Sequence, residues 1–144
     1  MAQTRSNTVD IVFRIGEVYA IKFDGEGSEQ TGLRPGVIFQ NNVGNAHSPN
    51  VIVLPLTSSI KKLDLPTHVL IKSCDSGLNK DSMVICENPV VMSKNKIGRY
   101  ITTLSEEYMR RITVANLLAT SSISYLDLNT LISAWRKAIA LNAA

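Results

Sequence analysis

The chain has 144 residues, 44% of them hydrophobic and 19% charged, with a net charge of +3 and a pI of about 9.0. That length suits one domain with a real core, and the composition excludes a disordered polyelectrolyte. The opening Met1-Ala2-Gln3-Thr4-Arg5 lacks the apolar stretch of a secretion signal, and no apolar run nears the ~18 residues that span a bilayer, so a cytoplasmic protein with no membrane partner is expected.

Residues 1–10 are polar and read as a loose N-terminus. Short apolar runs rich in Val and Ile follow: Val18 to Phe23, Val37 to Phe39, Val51 to Leu54, Val69 to Ile71, Met83 to Cys86 and Val90 to Met92. Clusters such as Asp24-Gly25-Glu26-Gly27 and Asn41-Asn42-Val43-Gly44-Asn45 separate them. Runs this short and this spaced predict antiparallel strands of a small barrel. Tyr19, Ile21 and Phe23 alternate onto one face, as a half-buried strand requires. The stretch from Ser58 to Asp64 has room for a single helical turn before Pro66 stops it. Past residue 104 the period changes. Ser105 followed by Glu106 and Glu107 is a helix start, with a cap and then acids in the first turn. Tyr108, Ile112, Ala115 and Ala119 share one stripe. After the polar Thr120 to Ser124, a second helix is expected to begin between Ser124 and Asn129. Its Leu128, Leu131, Ile132, Trp135 and Ile139 fall on one face. The expected architecture is a mainly β barrel domain over residues 11–119, closed by a helix, plus an amphipathic C-terminal helix within residues 120–144. That helix is expected to pack on the i, i+4 pair Val114 and Leu118.

The usual catalytic constellations are missing. His47 and His68 stand apart from any metal-binding spacing, and the two cysteines, Cys74 and Cys86, read as free thiols. His68, beside an apolar run, reads as a packed or hydrogen-bonded histidine. No phosphate-binding glycine loop or nucleophile elbow follows a strand, so neither a metal nor another cofactor is expected. Two polar segments at strand edges remain. Gly27 to Pro35 is a glycine-flanked loop whose Arg34 precedes a proline-stiffened strand entry. Leu54 to Ser59 carries Thr57 at the end of another strand. Each has a plain reading, Arg34 as a solvated charge and Thr57 as a cap. Each also has a chemical one. A guanidinium is a fixed fork of donors for phosphate oxygens, and a hydroxyl adds one placed donor. RNA cleavage needs little more, because the 2′-hydroxyl is a built-in nucleophile.

Six segments resemble the MazF/PemK toxins in order and spacing: Gly16-Glu17-Val18-Tyr19, Gly27 to Gln30 with Arg34-Pro35, Gln40 to Asn45 with Ser48-Pro49, Val51 to Val53 leading to Leu56-Thr57-Ser58, Lys61-Lys62 with Leu65 to Val69, and Gly77 to Val84. The likeness runs from about Gly16 to about Leu118. It implies an SH3-like barrel with a C-terminal helix that forms a homodimer. It also implies metal-independent cleavage of single-stranded mRNA to a 2′,3′-cyclic phosphate or 3′-phosphate and a 5′-hydroxyl, blocked by a cognate antitoxin. By motif position Arg34 and Thr57 match the family's catalytic pair, and Ser28, Glu29 and Gln30 match the loop bordering its RNA groove.

The chain departs from the pattern in three places. Asn88-Pro89-Val90 stands where the family often carries Gln, an apolar residue and Arg, so Asn88 is a shortened substrate-binding residue and a cation is lost. Lys94, Lys96 and Arg99 nearby either compensate or form a solvated turn. Gly36 replaces a bulkier residue after Arg34-Pro35, which leaves space beside the arginine. The chain also outlasts the typical member by roughly two dozen residues. A gyrase-binding or catalytically degenerate RNA-binding relative is the competing reading, and because all share one fold only the site separates them.

Overall fold

The computed structural model of the chain describes residues 11–25 and 31–143. Seven strands are present: β1 (Glu17–Asp24), β2 (Thr31–Ile38), β3 (Asn50–Thr57), β4 (His68–Ile71), β5 (Ser82–Ile85), β6 (Val90–Ser93) and β7 (Ile97–Thr103). Four helices accompany them: α1 (Asn42–His47), α2 (Ser73–Ser76), α3 (Glu106–Ala119) and α4 (Leu128–Ala143). The class is the expected one, mainly β with C-terminal helices. The strands run β4-β5-β3-β2-β1-β7, all antiparallel, with β6 also on β3. Among the described pairings β4 and β7 do not bond each other, so the barrel is a curled sheet rather than a closed ring.

Alternation along the strands feeds two apolar clusters, one per face. Tyr19, Ile21 and Phe23 of β1, Ile38 of β2, and Val51 and Val53 of β3 meet Phe13 and Met92 inside the curl. Val18, Val37, Leu54, Leu56, Val84 and Cys86 point the other way. There α3 covers them with Tyr108, Ile112 and Ala115. The Ser105 side chain accepts the Tyr108 N–H at 3.3 Å, and Glu106 and Glu107 occupy the first turn, as the sequence leads one to expect. Tyr108 ties the helix down by donating to Asp75 Oδ1 at 2.6 Å, and Asn116 donates to the Cys86 carbonyl at 3.0 Å. Both cysteines are free. Cys74 is exposed, and burial pushes the Cys86 thiol up to about 12.

The Asn41 to Asn45 cluster separates β2 from β3 as expected, and within it Asn41 caps α1, its side chain accepting the Gly44 N–H at 2.9 Å. Three local expectations fail. Ile97 to Thr103 forms a strand along β1 where the charges had suggested a turn. Ser58 to Asp64 forms bends and turns, not a helical turn. Finally, α4 does not pack on α3. Val114 and Leu118 remain 52% and 40% exposed, and every described side chain of α4 is exposed. Asp127 still starts that helix, accepting from Thr130 N at 3.0 Å and Thr130 Oγ1 at 2.7 Å.

Gly36 also corrects its reading, since the space beside it is taken. A Cβ there would sit 2.6 Å from Ile21 Cδ1 and 3.2 Å from Phe23 Cζ. Glycine is what lets the cluster inside the curl reach the backbone of β2. Gly36→Val is expected to destabilise the chain by about 1–3 kcal/mol through overpacking. Urea unfolding checks this, and a variant as stable as the parent would show that the cluster yields at no cost.

Candidate active site

β3 builds the site. On one edge it pairs with β2 through Ile38↔Val53, Val37↔Leu54 and Gly36↔Pro55. The registered ladder stops there. Pro35 follows on β2, and its missing N–H leaves the next position of that ladder without a donor. Two residues farther along each strand stand Arg34 and Thr57. Side chains directly opposite share a face, and a step of two keeps it. Both therefore lie on the sheet face that carries Ile21, the β1 partner of Arg34, and Val53. The registered pairs of β2 and β3 end below this point. Arg34 sits inside β2, not at the end of a loop as the sequence had suggested, and β1 braces it from the other side.

Both side chains are half-buried. Thr57 Oγ1 accepts the Ser59 N–H at 3.1 Å in a local turn, and no helix follows for it to cap. That bond uses a lone pair and fixes the oxygen. The hydroxyl proton stays available to a ligand, since a threonine has one donor and two acceptor sites.

Asn88 lies elsewhere on the same surface. The turn after β5 runs beside β3 where that edge passes from β6 to β5, and it places Asn88 in the wall of a groove of about 580 Å³. Lys22, Phe23 and Asp24 form the opposite wall, with Val90, Met92 and Lys96 completing it. Arg34 and Thr57 do not line this groove. Ser28, Glu29 and Gln30 lie outside the described residues; the last registered pair of β1 and β2 before them is Asp24↔Thr31.

The groove assembles residues the sequence had not grouped. Lys96 donates to Asp24 Oδ2 at 2.8 Å. That hydrogen bond, and then the charge behind it, holds the Asp24 carboxyl below its ordinary range. Glu87 receives His68 Nε2 at 2.6 Å, while His68 Nδ1 lies 3.0 Å from the Lys62 carbonyl. His68 is thus a hydrogen-bonded histidine, as read from sequence, and it pins the turn that carries Asn88. Lys94 is tied to the Asn45 carbonyl, and Arg99 is exposed on β7. Of the three cations Lys94, Lys96 and Arg99, Lys96 alone lines the groove. No sequence signal links Asp24 to Lys96 or His68 to Glu87, because strand register alone brings them together. Among the described residues no group of three or more His, Cys, Asp or Glu gathers to hold a metal ion.

Residues 14–118 match the model of the PemK-like, MazF-like toxins of type II toxin–antitoxin systems. The chain belongs to this family. It is 40% identical over 102 residues to the endoribonuclease MazF of Staphylococcus saprophyticus, a match covering 70% of this chain and 85% of that one. A mycobacterial endoribonuclease solved in complex with its cognate antitoxin is 25% identical, with a TM-score of 0.63, covering 75% of this chain and 94% of the other. MazF of Deinococcus radiodurans shares the fold, with a TM-score of 0.68 at 17% identity, covering 78% and 99%. The solved relatives are thus matched nearly whole, while about a quarter of this chain lies beyond them. No helix among the described residues is long and apolar enough to cross a membrane.

The Asp24 carboxylate is depressed in the folded chain, so its ion pair contributes above the unfolded value and is lost as pH falls through the folded one. Lys96→Met is expected to raise the Asp24 midpoint toward the ordinary value of about 3.9. Carboxyl-carbon NMR titration reads it; an unmoved midpoint would mean the groove wall is not closed by this pair in solution.

Proposed function

We propose that this family member is the toxin of a type II toxin–antitoxin system and an endoribonuclease that cuts single-stranded mRNA at the cleft between the upper ends of β2 and β3. The observation that carries this reading is the placement of Arg34 and Thr57 just past the proline-ended ladder, on one face. The Arg34 guanidinium grips the non-bridging oxygens of the scissile phosphate, where its planar fork matches the geometry. The Thr57 hydroxyl, held by Ser59, donates to the same phosphate. The 2′-hydroxyl of the substrate attacks phosphorus and loses its proton. The bond from phosphorus to the 5′-oxygen breaks, and that oxygen takes up a proton. The products are a 2′,3′-cyclic phosphate, which water opens to a 3′-phosphate, and a 5′-hydroxyl. Negative charge grows on the phosphoryl oxygens in the transition state, and fixed donors in a half-buried cleft stabilise it there more than in the ground state.

The neighbouring groove suits the flanking nucleotides. Asn88 offers a carboxamide to a base edge, and Phe23 and Val90 give apolar contact. Lys22 and Lys96 supply positive charge. By their place in the family motif, Ser28, Glu29 and Gln30 would border the bound strand. The working form is a cytoplasmic homodimer, and a cognate antitoxin silences it by covering the same surface. The relatives are endoribonucleases, one of them solved with its antitoxin, and this favours the nuclease over a gyrase-binding relative.

The experiment is to incubate the purified chain with a long unstructured RNA and a chelator. Discrete fragments with 5′-hydroxyl ends are expected. Arg34→Ala should lower the cleavage rate by ~100-fold or more, and Thr57→Ala by less. Intact RNA, or an Arg34→Ala chain within several-fold of the parent, would remove the basis for this chemistry.

A further inference from the structure

We propose that α4 is an exchanged arm: in a pair of copies, the α4 of each lies on the α3 of the other, over Val114 and Leu118. This inference goes beyond the nuclease reading and does not depend on it.

One chain carries two bare apolar surfaces that do not meet. The first is the α4 stripe, where Leu128, Ile132, Trp135 and Ile139 recur at four-three-four spacing, the pattern of a helix that seats on another helix. Leu131 borders the stripe, and Trp135 is 67% exposed. The second is the outer face of α3, with Val114 at 52% and Leu118 at 40% exposed. The connecting stretch, with Ser121 in a left-handed conformation and a tight turn at Ser122–Tyr125, leads α4 away from its own α3. Both surfaces are too apolar to be left to water. Contiguous open patches on single chains rarely pass a few hundred Å².

A second copy fits better than another occupant for two reasons. The apolar side chains left open on α3, on α4 and between them present on the order of 800 Å² per chain, the share each partner contributes to a standard interface. Reciprocal exchange also makes the contact isologous, so it closes at two copies and uses both surfaces of each.

Trp135 is the only tryptophan and reports its own burial. The full-length chain is expected to emit at short wavelength and to resist acrylamide quenching. Leu118→Asp should shift the emission to long wavelength with a far-ultraviolet change no larger than the loss of α4, since Leu118 is exposed and outside the core of its own chain; Val114→Asp is a second route to the same result. The decisive sample is a mixed pair, co-expressed with two tags, of Leu118→Asp with Trp135→Phe. Its single tryptophan sits on the chain whose own α3 is spoiled. Exchange predicts that the short-wavelength emission returns, because that helix lands on the intact α3 of the other copy. Emission like that of Leu118→Asp alone would mean packing within one chain and would overturn the proposal. So would failure to recover a mixed pair, or a parent chain whose tryptophan is exposed until an antitoxin is added.

Discussion

β3 is the strand on which both halves of the sheet turn. Its Asn50–Val53 half bonds β6, its Leu56–Thr57 end bonds β5, and β2 runs along the opposite edge only as far as Gly36↔Pro55. Three partners on two edges fix its register, because a slip of one residue would exchange the Val51 and Val53 face with the Leu54 and Leu56 face and empty both apolar clusters. Thr57 is therefore placed by packing that lies well away from it. Arg34 is placed likewise, through β1 and the close seat of Gly36 on Ile21 and Phe23.

Pro35 gives this register its chemical use. A central ladder normally carries a bond at every opportunity, and a donor lost from it costs stability. Here Pro35 withholds its donor from β3 directly after the pair Gly36↔Pro55, with the proposed site just beyond. Firm pairing below holds the geometry of that site. Sites built on strands hold their groups more closely than sites on loops. In the proposed chemistry the bond from Ser59 orients the Thr57 oxygen whose proton goes to the phosphate.

Much of this was legible because local pattern and global fold agree. The apolar runs became β1 to β6, Ser105 capped α3, and the Tyr108, Ile112 and Ala115 stripe closed the second cluster. Arg34 and Thr57 could be singled out as residue types at strand edges, and the resemblance joined them. What was missed was decided at longer range. α1 is short and built from Asn and Gly, which locally prefer turns, and it forms because Asn41 caps it. β7 has exposed Gly98, Arg99 and Tyr100, so its strand character comes from β1 and not from alternation. The groove around Asn88 joins Asp24 to Lys96 and His68 to Glu87 across 72 and 19 positions, and no spacing rule reaches that far.

The misplaced expectation for α4 is the most instructive, since the pattern itself was read correctly. An amphipathic stripe states that a surface must be covered, not what covers it. The cluster under α3 is already complete with Tyr108, Ile112 and Ala115, and Val114 and Leu118 face away from it. A helix added beyond this point stabilises nothing in its own core. A 16-residue helix has little stability alone in water. Its order and its apolar stripe must then be maintained by a contact outside the fold of one chain. In the proposed homodimer such a surface is already held at high effective concentration, so a weak helix-on-helix contact suffices there where free helices would stay apart. On this view the extra quarter of the chain does not enlarge the domain; it adds a second attachment between two copies of it.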